Sequence, residues 1–141
     1  MTDDSIGIRI IEYISEHHLS QENVQVLDLS ANILNVLSYF EATTQKILVV
    51  DTAKMGLKPG EFKIFSYHDI ETQKITGNLS SHEGDLVRVI HLAGQMKYDI
   101  PPLYLMGIEP ESIADGFGLT PICENSFMTY VEAAIAFINQ D

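Results

Sequence analysis

The run Ile47-Leu48-Val49-Val50 constrains the fold of this chain more than any other feature. All four residues are aliphatic, most of them are β-branched, and no polar residue alternates with them. Such a run is typical of a strand that is buried on both faces of a parallel sheet. We therefore predict a central strand, and this strand ends at Asp51.

Helix and strand patterns alternate along the rest of the chain. The predicted helices are Ile6–Ile14, Ile33–Phe40, Ser81 to about Met96, and a last helix that begins at Pro121. The other predicted strands are Val24–Leu29, Glu61–Phe65 and Leu103–Ile108. This order predicts a three-layer α/β fold, with a mostly parallel, twisted sheet and helices on both faces.

One strand is predicted to depart from the parallel arrangement. Met55 to Gly60 forms a Gly/Pro turn that follows the central strand, and the turn predicts a hairpin. The residues after it, Glu61–Phe65, alternate as in a half-exposed strand at a sheet edge. We therefore expect one antiparallel edge strand.

Length and composition limit the class of protein. With 141 residues and 45% hydrophobic content, the chain is long enough for one domain, which we expect to cover residues 1–141. No apolar run approaches the roughly 20 residues of a membrane span, and the first residues do not resemble a signal peptide. The net charge of −12 argues against nucleic acid or an anionic membrane as a partner.

The lone cysteine, Cys123, cannot form an internal disulfide, which suits a reducing cytoplasm. It is also a conceivable nucleophile, but no nearby His or Asn supports that role. We therefore expect a cytoplasmic protein in which Cys123 has no catalytic function.

The beginning of the chain departs from the usual pattern. Folds of this kind normally begin with a strand, whereas the acidic pair that should follow that strand is already at Asp3-Asp4. Loss of a central strand would expose the pairing edges of its neighbours. Our hypothesis is that the usual first strand is absent because Met1 is an internal methionine of a longer natural chain.

Three side chains are predicted to meet at the carboxyl edge of the sheet. Asp51 ends the central strand, Asp4 follows the position of the first strand, and His82 lies in the first turn of a helix. Open α/β sheets bind ligands at this edge. Two carboxylates and one imidazole suit a divalent ion such as nickel or zinc.

Each of these residues also has a purely structural interpretation. Asp51 could cap the turn that follows its strand, Asp4 could cap a helix, and His82 could make a local hydrogen bond at a helix start. We interpret His17, His18, His68 and His91 as structural or solvated. Glu109 and Glu111 could form an acid/base dyad, although a loop-exposed acidic turn is the interpretation that we favour.

Several motifs together resemble the hydrogenase maturation endopeptidases. They are Asp3-Asp4 with Gly7 and Arg9, Val50-Asp51-Thr52-Ala53 with Gly56 to Gly60, Ser81-His82 before a helix, Met106 to Ser112, and Gly118 to Pro121. The similarity covers essentially the whole chain in the order of the family. The Gly-Ile-Glu-Pro-Glu-Ser and Asp-Thr-Ala…Pro-Gly stretches are its most specific parts.

The resemblance implies a cytoplasmic peptidase, aspartic-type by family convention. Such a peptidase removes the C-terminal extension of the large subunit of a nickel-iron hydrogenase once nickel has been inserted. Matched position by position, the family's nickel-recognising residues fall on Asp4, Asp51 and His82. The nickel belongs to the substrate, and the resemblance implies no organic cofactor.

The chain departs from the family pattern in three places. It has neither the initial apolar strand nor the Gly-Asn turn that follows it, and Asp4 stands where the family often has Glu. The family's Asp-Gly-Gly-Thr becomes Asp28 to Ala31. An inactive or scaffold homologue of the same fold therefore remains an alternative.

A phospho-receiver domain is a more distant alternative, since it also combines an acidic pair with an Asp at the end of a strand. A receiver has Lys near the end of a late strand, just before Pro, whereas this chain has Glu109 before Pro110. That position argues against a receiver.

Overall fold

A computed structural model describes residues 6–17, 24–26, 33–52, 55–66, 81–111 and 119–140, of which 33, 35 and 81–87 are described in their backbone only. The helices are α1 (Ile6–Glu16), a 3₁₀ helix (Ile33–Tyr39), α2 (Ser81–Gln95), α3 (Pro121–Asn125) and α4 (Phe127–Ile138). The strands are β1 (Ile47–Thr52), β2 (Phe62–Ser66) and β3 (Leu103–Ile108). None of the described helices is long and apolar enough to cross a membrane.

The described strands form one mixed sheet in the order β1-β3-β2. β1 is parallel to β3, with Ile47 opposite Leu103 and Asp51 opposite Gly107. β2 is antiparallel to β3 and lies at the edge of the described sheet, with Phe62 opposite Ile108. The antiparallel edge strand is therefore confirmed. The predicted hairpin is wrong, because β3 separates β2 from β1.

Helices cover both faces of the sheet, which confirms the three-layer architecture. On one face α1, α3 and α4 enclose a first core, made of Ile6, Ile10, Ile14, Met106, Ile108, Cys123, Tyr130, Val131 and Ala134. On the other face the 3₁₀ helix and α2 enclose a second core, made of Val36, Phe40, Val89, Ile90, Ala93 and Leu103. Side chains of β1 alternate between the two: Leu48 and Val50 pack on the first core, Ile47 and Val49 on the second.

Within the described sheet, β3 is the central strand and β1 lies at an edge. All residues of β3 except Tyr104 are buried, whereas Ile47 to Asp51 are only half-buried. Ile47–Val50 therefore packs on both faces as predicted, but its residues are only half-buried rather than buried. The physical reason is position, since β1 has one neighbour in the described sheet and β3 has two. β1 also continues through Asp51 to Thr52, further than predicted.

Two segments near the beginning of the chain differ from the prediction. Residues 24–26 are irregular in the structure, and the rest of the predicted Val24–Leu29 strand lies outside the described residues. Val26 still packs on the first core, which accounts for the apolar alternation. The helix at Ile33–Tyr39 is 3₁₀ rather than α, and Phe40 N–H donates to Leu37 O three residues earlier at 3.1 Å.

The last helix is divided in two. Ser126, with φ −96° and ψ 2°, separates α3 from α4. With the helix divided in this way, Cys123 and Tyr130 both lie in the first core. Ile122, which is predicted to pack in the core, is instead 38% exposed. At the other end of α4, Lys46 Nζ donates to the carbonyl oxygens of Phe137 and Gln140, so the lysine at the start of β1 satisfies the last carbonyls of the helix.

Candidate active site

Asp51 lies near the carboxyl end of β1, with its side chain on the α2 face of the sheet. The face follows from the alternation along the strand, because Ile47 and Val49 pack on the second core. Its Oδ1 accepts the N–H of Thr52 at 2.8 Å, and the group is half-buried. This local bond fits the capping interpretation of Asp51.

The partner of Asp51 across the parallel pair is Gly107. Gly107 has no side chain, so no β3 side chain stands directly beside Asp51 on the α2 face.

His82 lies in the first turn of α2, which begins at Ser81 as the sequence predicts. Its side chain lies outside the described residues, but its backbone position can be compared with that of Asp51 along the sheet. Ala93, in the same core as Leu103 and Ile47, is eleven residues after His82, or about 16 Å at 1.5 Å per residue. Asp51 is four residues from Ile47, or about 13 Å along β1. These two lengths are similar, so the first turn of α2 can lie at the level of Asp51 on the same face.

Asp4 lies outside the described residues, so its predicted role stays a prediction. The helix that follows it is located through Gly7, in the first turn of α1. A Cβ added to Gly7 would lie 2.3 Å from the Val50 carbonyl oxygen and 3.3 Å from Asp51 Cα. No side chain fits there, so only glycine allows α1 to begin against the end of β1.

The described part of the structure thus brings the start of α1 to the carboxyl end of β1. Among the described side chains, no three His, Cys, Asp or Glu residues are grouped as metal ligands. The Asp4 and His82 side chains are outside that set, so the Asp4, Asp51 and His82 metal site remains a prediction.

Glu109 contradicts the sequence-based interpretation of an exposed acidic turn. It is only 8% exposed, and its Oε1 accepts the N–H groups of Met55 at 2.7 Å and Leu57 at 3.1 Å. Glu111, by contrast, is exposed. The two carboxylates are in different environments, since Glu109 is buried next to the candidate site and Glu111 lies at the protein surface.

The segment from Met55 to Gly60, here called the Met55–Gly60 loop, crosses the same edge of the sheet. It turns at two glycines with positive φ, Gly56 at 78° and Gly60 at 88°. The buried Tyr130 hydroxyl donates to Gly60 O at 2.5 Å. The loop that follows Asp51 is therefore attached both to β3 and to α4.

The remaining candidates lie away from this edge or out of solvent contact. Cys123 is fully buried in the first core, which agrees with the expectation that it is not a nucleophile. His17 is exposed just after α1 and hydrogen-bonds Tyr13 O, and His91 is exposed on α2. His18 and His68 lie outside the described residues.

Comparison with known proteins identifies the family. A family model described as hydrogenase maturation protease matches residues 8–137. The chain belongs to the hydrogenase maturation protease family. The resemblance inferred from the motifs is thereby confirmed.

Individual members of the hydrogenase maturation protease family match over nearly the whole chain. The hydrogenase 2 maturation protease of Escherichia coli is 24% identical over 145 residues, covering 99% of this chain and 85% of that protein. The hydrogenase expression/formation protein HupD of Thiocapsa roseopersicina is 26% identical, covering 98% of this chain and 62% of its own length.

Solved structures of maturation proteases have the same fold. The maturating endopeptidase HybD of Escherichia coli superposes with a TM-score of 0.81, at 23% identity, covering 98% of this chain and 85% of that chain. The [NiFe] hydrogenase maturation protease HybD of Thermococcus kodakarensis gives 0.78 at 21% identity, covering 97% and 90%. The predicted α/β class is confirmed by both.

Sequence reasoning missed Glu109 as a buried group of this maturation protease. Its position directly after β3 and before Pro110 carried the only signal, since a side chain at the carboxyl end of a central strand lies where such sheets bind ligands. The hydrogen-bond donors to Glu109 are backbone N–H groups, and a pattern of side chains along the sequence does not indicate backbone donors.

Proposed function

We propose that this chain is an endopeptidase that removes the C-terminal extension of a nickel-iron hydrogenase large-subunit precursor after nickel insertion. The observation that carries the proposal is the family match over residues 8–137. The close approach of the start of α1 to the end of β1 that carries Asp51 supports it. The proposed location is the cytoplasm, where the precursor would be processed.

In the proposed reaction, Asp4, Asp51 and His82 bind the nickel that the precursor carries. Carboxylate and imidazole ligands suit a borderline divalent ion and leave positions for the ligands of the substrate. Binding of the nickel holds the nearby peptide bond in one position relative to Asp51. Water attacks the carbonyl carbon, the C–N bond breaks, and the amine of the released peptide takes a proton.

This arrangement makes the metal the recognition element of the substrate. A precursor without nickel lacks the group that the three side chains bind, so it is a poor substrate. The acidic charge of the site also favours a cationic centre over an anionic one.

The test is an intact-mass assay of a nickel-loaded precursor incubated with the protein, beside a nickel-free precursor. Asp51→Ala is the site variant, and Glu132→Gln, a charge change on exposed α4 surface, is the matched control. We expect loss of a C-terminal peptide only from the nickel-loaded precursor, and only with the parent and Glu132→Gln. No cleavage by a folded parent protein would instead favour an inactive homologue of this fold.

A further inference from the structure

The Met55–Gly60 loop is attached at both of its ends to one residue. Glu109 Oε1 accepts the N–H groups of Met55 and Leu57 near the start of the loop. At the end of the loop, Gly60 N–H donates to Glu109 O at 2.8 Å, and Glu109 N–H donates to Glu61 O at 2.8 Å. The side chain and the backbone of Glu109 therefore fix opposite ends of the loop.

These bonds are made in a site with little water. Glu109 is 8% exposed, and among the described residues no basic side chain pairs with it. Hydrogen bonds to an ionised carboxylate are roughly twice as strong as those between neutral groups. The loop N–H groups are thus the main hydrogen-bond partners of this buried carboxyl group, and breaking their bonds would leave both donors and the acceptor unpaired.

Glu109 lies beside Asp51 on the same face of the sheet. It is two residues beyond Gly107, which is opposite Asp51, and its backbone continues the pairing of β3 with the chain that leads into β2. With strands about 4.8 Å apart and a rise of about 3.3 Å per residue, the Cα atoms of Asp51 and Glu109 are about 8 Å apart. The loop that Glu109 holds is therefore anchored about 8 Å from Asp51 along the same edge of the sheet.

A second contact that holds the loop is made by the side chain of Met55. Met55 packs against Phe65 and Leu105, which form a small buried cluster on the Asp51 face. The bond from Glu109 to Met55 N–H keeps that side chain over the cluster. Loop position and core packing are thus coupled through one carboxylate.

We propose that Glu109 is a positioning residue of the protease, which holds the Met55–Gly60 loop as a preformed wall for the precursor peptide beside Asp51. The inference rests on the proposed function. A loop that is already ordered does not have to be ordered when substrate binds, so affinity is retained. The role requires an acceptor oxygen at the reach of Glu, and it involves no direct contact with the reacting atoms.

The test compares Glu109→Ala and Glu109→Gln in cleavage of nickel-loaded precursor, with Glu132→Gln as the exposed control. We expect KM to rise about tenfold in Glu109→Ala, the effect of losing about 1.4 kcal/mol of binding. Glu109→Gln keeps an acceptor oxygen, so its KM should return to within about threefold of the parent. A loss of folded protein would lower the rate and leave KM unchanged, so a rise in KM marks an effect within the site.

Amide hydrogen exchange gives the second readout. In Glu109→Ala the amides of Met55 and Leu57 should exchange at least about tenfold faster, while the amides of β3 remain protected. If Glu109→Ala does not fold, Gly56→Ala disturbs the same loop without touching Glu109. The added Cβ meets no atom within 4 Å, and only the positive φ of 78° is strained, so KM should again rise.

Two results overturn the inference, and they differ. If the parent cleaves the precursor and a folded Glu109→Ala has the parent KM although its loop amides exchange fast, the positioning role is wrong and the proposed function stands. If the folded parent cleaves no nickel-loaded precursor, the proposed function is wrong and the positioning role falls with it.

Discussion

Tyr130 and Gly60 are joined by a 2.5 Å hydrogen bond that crosses from the helical layer to the end of the Met55–Gly60 loop. The ring of Tyr130 is buried in the first core and meets Phe62 edge to face, with centroids 5.8 Å apart. The aromatic body therefore packs with the core, while the hydroxyl satisfies a carbonyl of the loop. One side chain connects the packing of α4 to the geometry of the site edge.

Tyr130→Phe should separate these two roles. The ring stays, and Gly60 O loses its donor, so the free energy of unfolding should fall by about 1 to 2 kcal/mol. Urea denaturation of the variant measures the loss, and Tyr98→Phe, at an exposed tyrosine, is the control. Equal midpoints for the Tyr130→Phe variant and the parent would contradict a stabilising hydroxyl.

Gly7→Ala and Gly94→Ala should shift stability in opposite directions. At position 7 the new Cβ would overlap the Val50 carbonyl oxygen, so α1 must move, at a cost of about 1 to 3 kcal/mol. At Gly94, in α2, nothing lies within 4 Å of the added atom, and the substitution gains up to about 1 kcal/mol from reduced backbone freedom. Thermal unfolding compares the two, and a Gly7→Ala variant as stable as the parent would disprove the close approach of α1 to β1.

Asp51→Asn should remove activity and leave the fold. The amide oxygen of Asn can still accept the Thr52 N–H, so the local bond at the end of β1 is kept. The charge is lost, and with it the proposed carboxylate ligand of the precursor's nickel, so kcat/KM should fall by at least about a hundredfold. Intact-mass kinetics measure the fall, and circular dichroism checks the fold. Near-parent cleavage by Asp51→Asn would rule out the carboxylate as a metal ligand.

Cys123 should be unreactive in the folded protein. Its thiol is fully buried, so a disulfide reagent reaches it only when the first core opens. Labelling should be at least about a thousandfold slower than in denaturant, as expected for a stability of 5 kcal/mol or more. Cleavage activity should survive incubation with the reagent, and rapid labelling accompanied by inactivation would reopen the nucleophile interpretation.

The elements predicted best from the sequence are those whose boundaries are set by local chemistry. β3 covers Leu103–Ile108 as predicted, because prolines precede it and Glu109-Pro110 follows it. α2 begins at Ser81, at the predicted helix-start signal. These element boundaries follow from the backbone preferences of the residues at them, so they can be predicted without knowing which other elements pack nearby.

The errors concern which elements are neighbours. The run Ile47–Val50 looks like a central strand, yet the burial of its residues depends on how many strands pair with it. The hairpin after Met55 fails for a similar reason, since β3 enters between β1 and β2. Pairing of distant segments is set by packing of the whole sheet, and periodicity in one segment does not contain it.

The candidate site was predicted in part. Asp51 is predicted from its place at a strand end, and the structure adds that α1 begins against the same end of β1. The sequence favours an exposed acidic turn at Glu109, because acidic side chains are rarely fully buried. The burial of Glu109 depends on the N–H groups of Met55 and Leu57, which any residue except proline would supply at those positions.

The attachment of the Met55–Gly60 loop through main-chain atoms has a consequence for how this protease family can diversify. Glu109 accepts backbone N–H groups of the loop, and Tyr130 donates to a loop carbonyl. The path of the loop is therefore specified mainly by main-chain atoms, together with the packed Met55 side chain and the two glycines with positive φ. Exposed residues of the loop such as Lys58 and Pro59 can therefore be substituted while the backbone path of the loop stays the same. Such substitutions would adapt the loop to a different precursor surface without a change of fold.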